Sequence, residues 1–447
     1  MNWIRISQIL CVFGFVKEFR PNEPFIFEYL THPPKNFTSV QVTEEIYPIA
    51  TYSNFATLII VFLLTDFLRY KPVIILCGLS GVITFTGLIL GRSIAALQFV
   101  EFFYGFYISA EVAYYTYIYA KVDKQHYQSV SSYTRSALLF GRFITGAVAQ
   151  LIVAFKWLDY HQLNYLTLAG QVVATIWSLF LPSVGQSVYF HRKEPNELEG
   201  SSTQVIIDDK KYINLSLYKK VQRAYYLLWK DFVKAFTNLY IIKWSFWWAA
   251  ASCGYLQVLS YAQPIWQTSI KENETIYNGA VEALYTIIGG VAVYGVGKLK
   301  LNWLALGDVI LCVFSIIMAI FLFITSWSYN IILQYAVYIA FGVVYHSLVT
   351  VASFEVASRI SEDSFGLVFG INVFLGLAFQ SLLTYIVTSG KVLKLDIRTQ
   401  FVVYAGYFAV LGSIFMLISV LNTIKLCKKR KKLVLCAENK NNSLVTD

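Results

Sequence analysis

Apolar runs of about 20 residues alternate with short polar breaks along the chain, the length a helix needs to cross the hydrocarbon of a bilayer. They fall near 3–30, 46–68, 72–91, 95–120, 129–155 and 163–186, then 240–266, 276–298, 301–326, 329–357, 364–389 and 400–424. The pattern predicts an all-α polytopic membrane protein with twelve transmembrane helices. Its parts are an N-terminal six-helix bundle over 1–186, a central loop over 187–235, a C-terminal six-helix bundle over 236–424 and a basic tail over 425–447. The first run, opening "WIRISQILCVFGFV", is interrupted early by Arg5 and lacks a small-residue cleavage pattern, so it reads as the first half of a retained helix. In the central loop, Leu217, Val221, Tyr225 and Leu228 stand near helical spacing. That stretch is either an amphipathic helix on the membrane surface or a bare linker.

Composition agrees with the pattern. The 447 residues are 57% hydrophobic and 14% charged, with a mean hydropathy of +0.56, well above soluble domains. The net charge of +10 collects in short segments between spans, which argues for membrane orientation rather than nucleic-acid binding. Arg69 and Lys71, Lys121 and Lys124, Lys298 and Lys300, Arg359 and "KLCKKRKK" follow alternate spans. Both termini and the central loop are therefore expected in the cytoplasm. Asn36 in "NFT" and Asn273 in "NET" then fall outside as glycosylation acceptors, while Asn214 and Asn441 fall inside. Cys11, Cys77, Cys253, Cys312, Cys427 and Cys436 form no framework and read as small core residues. The six-plus-six layout is that of a major facilitator transporter, whose halves rock about a site near the midplane. "TDFLRYKP" at 65–72 is a degenerate form of that superfamily's Asp/Arg loop.

Charges inside spans are costly, roughly +2.5 to +3.5 kcal/mol each on insertion scales, so they mark cavities or partners. The spans carry Glu23, Glu28, Glu101, Glu111, Arg135, Arg142, Lys243, Glu282, Asp308 and Glu355. Arg135 and Lys243 lie near span ends and can snorkel. On an ideal helix Glu101, Tyr104 and Glu111 share a stripe about 80° wide over about 15 Å. An acid beside a tyrosine in such a stripe suits a cation or an amidine-like edge, whereas Glu111 has the alternative of pairing with a buried arginine. Near the outer ends, "YPIATYSNF" brings Tyr47, and "IYNGAVEA" brings Asn278, Gly279 and Glu282. Gly279 suits close packing as well as ligand contact.

At these residues the chain becomes recognisable. "FRPNEPFIFEYL", "KNFTSVQVTEEIYP", "LLTDFLRYKPVIIL", "VEFFYGFYISAEVAYYTYIYA", "QHYQSVSSYTRSA", "WSFWWAAASCGYLQVL", "IYNGAVEA" and "LVFGINVF" resemble the solute carrier family of reduced folate and thiamine transporters, from about residue 11 to about 420. By that resemblance, folate-carrying members hold the anionic tail of the cargo with three buried cations. The matching positions here are Glu111, Gly342 and Gln380. The resemblance is nearer to the thiamine branch. It implies that Glu101 and Tyr104 meet an aminopyrimidine, that Tyr47 stacks on the cargo, that Asn278 adds a polar contact and that Glu23 lies close by. One departure is Ala50, where the thiamine carriers have tryptophan. His346 either tunes selectivity or is a satisfied structural residue.

The expected function is import of a vitamin, thiamine or a related cation, by alternating access across the plasma membrane. The small-molecule vitamin and the lipid bilayer are the expected partners, and no nucleic acid, cofactor or metal is expected. A reduced folate carrier is the alternative, with Arg142 and Lys243 as its only candidate cations. A vitamin-sensing receptor is a third reading. No nucleophile and base pair, metal-ligand spacing or phosphate loop points to an enzyme.

Overall fold

Prolines and buried charges decide where the first span breaks. In the computed structural model, which describes residues 3–122, 126–184, 217–271, 274–299, 301–360, 365–388 and 392–443, α1 (Trp3–Lys17) stops before "KEFRPNEP". Pro21 and Pro24 cannot donate to a helical ladder, and the chain crosses a short 3-10 turn, Glu23–Phe25, before α2 (Ile26–Thr31). The expected continuous helix over 3–30 is thus two helices joined by a charged, non-α-helical segment.

A π turn, Gln41–Ile46, leads into α3 (Tyr47–Phe67), with Pro48 in its first turn, where the missing N–H costs nothing. Then follow α4 (Lys71–Leu90) and α5 (Ile94–Ser109), the latter capped by the Ser93 side chain. The fourth span also differs from expectation, because it breaks at Ala110 and resumes as α6 (Glu111–Lys121). The Ser109 hydroxyl donates to the Phe106 carbonyl at 2.9 Å and competes with the helical ladder there. After α7 (Tyr127–Ala154) comes α8 (Tyr160–Ser178), opened by a capping box of Asp159 and Gln162 and ending short of the expected residue 186.

Residues 187–216 of the central loop, with Asn214, lie outside the described residues, and α9 (Leu217–Phe236) follows them. The second half comprises α10 (Leu239–Gln267), α11 (Asn278–Gly297), α12 (Trp303–Trp327), α13 (Ile331–Ala357) and α14 (Phe365–Thr388). The last helix, α15 (Ile397–Ser443), runs well past the expected end at 424. Among the described residues there is no strand, and 8 helices are long and apolar enough to cross a membrane unaided. The first and fourth spans fall short because they are broken. The sixth and seventh carry much of their bulk as tyrosine, tryptophan and glutamine, which score low in hydropathy though α10 is largely buried.

The largest apolar core is built from residues between Ala235 and Phe415, and three others from residues between Ile6 and Val184. Where the two sets meet, α7 and α11 cross so closely that a Cβ on Gly146 would stand 2.6 Å from the Gly279 carbonyl oxygen. Gly279 is therefore a packing residue in this arrangement.

The hydrogen bonds that join the two halves cluster at the end of the bundle distant from both termini. Gln263 donates to the Glu23 carbonyl at 2.7 Å and accepts from the Phe27 amide at 3.1 Å. Gln267 donates to Thr31 at 3.2 Å, Tyr261 to the Thr43 carbonyl at 3.3 Å and Gln150 to the Ile276 carbonyl at 3.0 Å. Lys394 approaches Glu44 at 3.7 Å. Nearer the termini the halves meet through rings, Phe55 stacked on Phe374 with centroids 5.1 Å apart.

Candidate functional site

The break in the first span gathers four charged side chains in seven residues, and the structure turns them into a largely buried ion network. Glu18, with no exposed side-chain surface, accepts from Arg20 at 2.8 Å and from Arg142 Nε on α7 at 2.7 Å, and lies 3.5 Å from Lys17. Lys17 also reaches Glu111 at 3.4 Å, and Arg20 pairs with Glu23. Three cations and three carboxylates thus neutralise one another. Tyr107 lies beneath, with Lys17 Nζ 4.6 Å and the Arg20 guanidinium 5.7 Å from its ring centroid, and it donates to Gln171 at 3.0 Å. Lys17, Glu18 and Arg20 were missed in the sequence. The signal that could have found them is "VKEFRPNE", a charge run inside an otherwise apolar span.

Of the expected site residues, Glu23, Tyr47, Glu101 and Tyr104 come together. Tyr104 donates to Glu23 Oε1 at 3.1 Å and stacks on Tyr107 with centroids 6.2 Å apart. Tyr47 stands between Phe27 and Tyr261, with centroids 6.3 and 6.4 Å away, and its buried hydroxyl has no hydrogen-bond partner. Glu101 lies within electrostatic reach of Tyr47, Tyr104 and Tyr261. Among the described residues no hydrogen bond or ion pair engages its carboxylate. Tyr261 belongs to this box and was not among the expected residues; it came unflagged because its place depends on how α10 meets α3.

The other expected residues stand elsewhere. Glu111 is 15% exposed and is held by Lys17 and by the Tyr115 hydroxyl at 3.0 Å. The break at Ala110 puts it on a different helix from Glu101, so the stripe drawn on one ideal helix is not realised. Its partner is a lysine of the first span, not an arginine. Asn278, 2% exposed, donates to the Pro24 carbonyl at 2.9 Å and accepts from Tyr335 at 2.8 Å, so its amide braces the distal seal. Gln380, 4% exposed on α14, forms no hydrogen bond among the described residues. Asn36 is exposed in the distal loop with φ of 54°, and Asn273 lies outside the described residues.

A second aromatic cluster lines the C-terminal half. Tyr338 donates to Glu282 Oε1 at 2.9 Å, and Tyr255 stacks on Tyr345 with centroids 3.9 Å apart. The hydroxyls of Tyr255 and Tyr285 lie 2.7 Å apart, and Tyr285 bonds His346 Nε2, so His346 is satisfied. The Tyr285 ring covers Gly342 so closely that a Cβ there would stand 1.9 Å from it. Toward the termini Lys243 pairs with Asp308, which accepts from Asn422 at 2.7 Å. Glu355 accepts from Tyr240 at 2.6 Å. Both candidate folate-binding cations, Arg142 and Lys243, are therefore engaged by carboxylates. Among the described residues no group of His, Cys, Asp or Glu could hold a metal ion. Cys11, Cys77, Cys253 and Cys312 are free thiols.

The profile of the family described as Reduced folate carrier matches residues 1–403. The chain is 40% identical over 445 residues to Thiamine transporter 2 of Homo sapiens, with 93% of this chain and 90% of that protein covered. It is 36% identical over 422 residues to Folate transporter 1 of Caenorhabditis elegans, with 93% and 92% covered. Among solved structures, the POT family transporter PepTSo superposes with a TM-score of 0.66 at 9% identity, covering 95% of this chain and 99% of that one. That likeness shows the fold alone, the major facilitator type.

Proposed function

The chain belongs to the reduced folate carrier family, and from that premise we propose a vitamin importer for thiamine or a closely related cationic heteroaromatic. It is a transporter and not an enzyme, as its relatives are. One observation carries the cargo's charge. Lys17, Arg20 and Arg142 each have a carboxylate partner, whereas Glu101 has no cation partner among the described residues and stands among Tyr47, Tyr104 and Tyr261. A carboxylate left in a low-dielectric box is costly unless a cation arrives to meet it. Aromatic faces favour a delocalised cation, and the orphaned Tyr47 hydroxyl adds a hydrogen-bonding position.

A dicarboxylate finds little to hold it at the three positions compared above. Glu111 is an acid already paired with Lys17, Gly342 lies under the Tyr285 ring, and Gln380 is neutral. Glu23 and Tyr104 supply a further acceptor and phenol beside Glu101, and the Gln380 amide forms no hydrogen bond among the described residues. Asn278 acts on the cargo indirectly, by holding the seal. Transport proceeds by alternating access, the two halves 1–186 and 236–424 rocking about this box. With both termini in the cytoplasm of a plasma-membrane carrier, the sealed end faces outside and so does the Asn36 acceptor.

The deciding experiment is uptake of radiolabelled thiamine and of a reduced folate, side by side, in cells expressing the chain. Saturable thiamine entry without folate entry is the expected result. Folate entry instead would place the chain with the folate carriers, and surface-expressed protein that moves neither would overturn the assignment.

A further inference from the structure

The helix that leads into the second half has its apolar face uncovered. On α9, Tyr218 is 75% and Trp229 64% exposed, and Tyr225, Tyr226 and Val233 are exposed as well. At about 100° per residue these five, with Phe232 and Phe236, fall within an arc of about 120°. Lys219, Lys230 and Lys234, all exposed, begin about 20° beyond the Tyr226 edge of that arc and cover about 60° more. The strip is anchored at one end. Trp229 stacks on Phe232 with ring centroids 5.3 Å apart, Phe232 meets Phe236 at 5.0 Å, and Phe236 and the buried Ala235 join the core of the second half. Rings thus run from that core out onto the exposed face. Only Thr237 and Asn238 separate α9 from α10, and α9 packs against both α10 and α14. A helix that close to the end of a span stands at the height of the lipid headgroups, where tyrosine and tryptophan are enriched.

We infer that α9 lies along the bilayer surface and binds the anionic lipids of that leaflet, its rings sunk at the boundary of headgroup and acyl chain and its lysines on the headgroup charges. Amphipathic rings on one side and long cations beside them are the two parts such a surface selects. A soluble protein partner fits less well, because it would have to dock within two residues of a span, where headgroups compete for the same rings. The contact has a path to the rest of the molecule. Through α14, whose Phe374 stacks on Phe55 of the first half, a leaflet that holds α9 also bears on how the halves meet toward the termini. This goes beyond the cargo assignment and does not depend on it.

The test is amide hydrogen exchange across residues 217–236 of the purified full-length protein. It is run in detergent micelles, in nanodiscs of phosphatidylcholine, and in nanodiscs of phosphatidylcholine mixed three to one with phosphatidylserine. Both faces of a nanodisc carry the same lipid, so the result does not depend on which side of the membrane α9 occupies. Exchange is expected to be slowest with phosphatidylserine, to speed up about fivefold for each of Lys219→Gln, Lys230→Gln and Lys234→Gln, and to speed up with added salt in that bilayer alone. The pair Tyr225→Ser and Trp229→Ser is expected to lose the protection in both bilayers. Unchanged exchange across α10 shows that each variant keeps its fold. Equal rates in micelles and in both bilayers would mean that the protein itself covers α9, and overturn the inference. Slowing by phosphatidylserine that ignores all three lysines overturns it too.

Discussion

Glu18 is buried and Glu101 half-buried, and their surroundings differ enough to assign them opposite roles. Glu18 is surrounded by Lys17, Arg20 and Arg142, so its charge belongs to the fold. Glu18→Gln is expected to cost about 3–5 kcal/mol, as breaking one side of a buried ion network does, and to be read as loss of surface protein. Glu101 supports no neighbour, so Glu101→Gln is expected to leave surface expression intact while thiamine uptake falls at least tenfold. Normal uptake by that variant would remove Glu101 from the site. Tyr47→Phe deletes a hydroxyl with no hydrogen-bond partner among the described residues, so thermal stability should not fall. Any rise in the Michaelis constant then reports a bond to cargo. At this scale the sequence was partly legible. Glu101 and Tyr104 stood out as charge and phenol in an apolar run, but Asn278 looked equally free, and only its bonds to Pro24 and Tyr335 show that it is spent on the seal.

At the scale of elements, the two spans that break are the ones with more than one carboxylate, Glu18, Glu23 and Glu28 in the first and Glu101 and Glu111 in the fourth. The apolar runs located the regular helices well, with α3, α4, α13 and α14 ending within about two residues of expectation, because a long apolar run has no other structure open to it in lipid. It failed at Ala110 and across residues 18–25, where hydroxyl competition and proline act within single turns that a 20-residue window averages away. The crossing of α7 and α11 depends on two facing glycines. Gly146→Val would push the helices apart, and uptake is expected to fall severalfold or more although Gly146 lies at a helix crossing and not in the Glu101 box. Gly342→Ala meets the Tyr285 ring and should destabilise the fold by about 1–3 kcal/mol. The double variant with Tyr285→Ala should recover much of that loss in a thermal melt. No recovery would show that the ring is not the obstacle.

For the whole molecule, the halves are tied by side-chain hydrogen bonds at one end and by ring packing toward the other. Cysteines introduced at Thr31 and Gln267 are expected to crosslink readily without cargo and to stop uptake when oxidised, with recovery on reduction. Uptake unaffected by that crosslink would mean the distal end need not open. The unpaired carboxylate in the aromatic box has an electrical consequence. With Glu101 ionised, the loaded box is neutral, whereas the empty one carries a negative charge back across the membrane. A potential of 100 mV bears on a unit charge by about 2.3 kcal/mol, so voltage should drive the return of the empty carrier more than the inward step. Depolarisation would then lower the maximal rate at saturating cargo, and the carrier would behave as a rectifier whose current is set by the stroke that moves nothing.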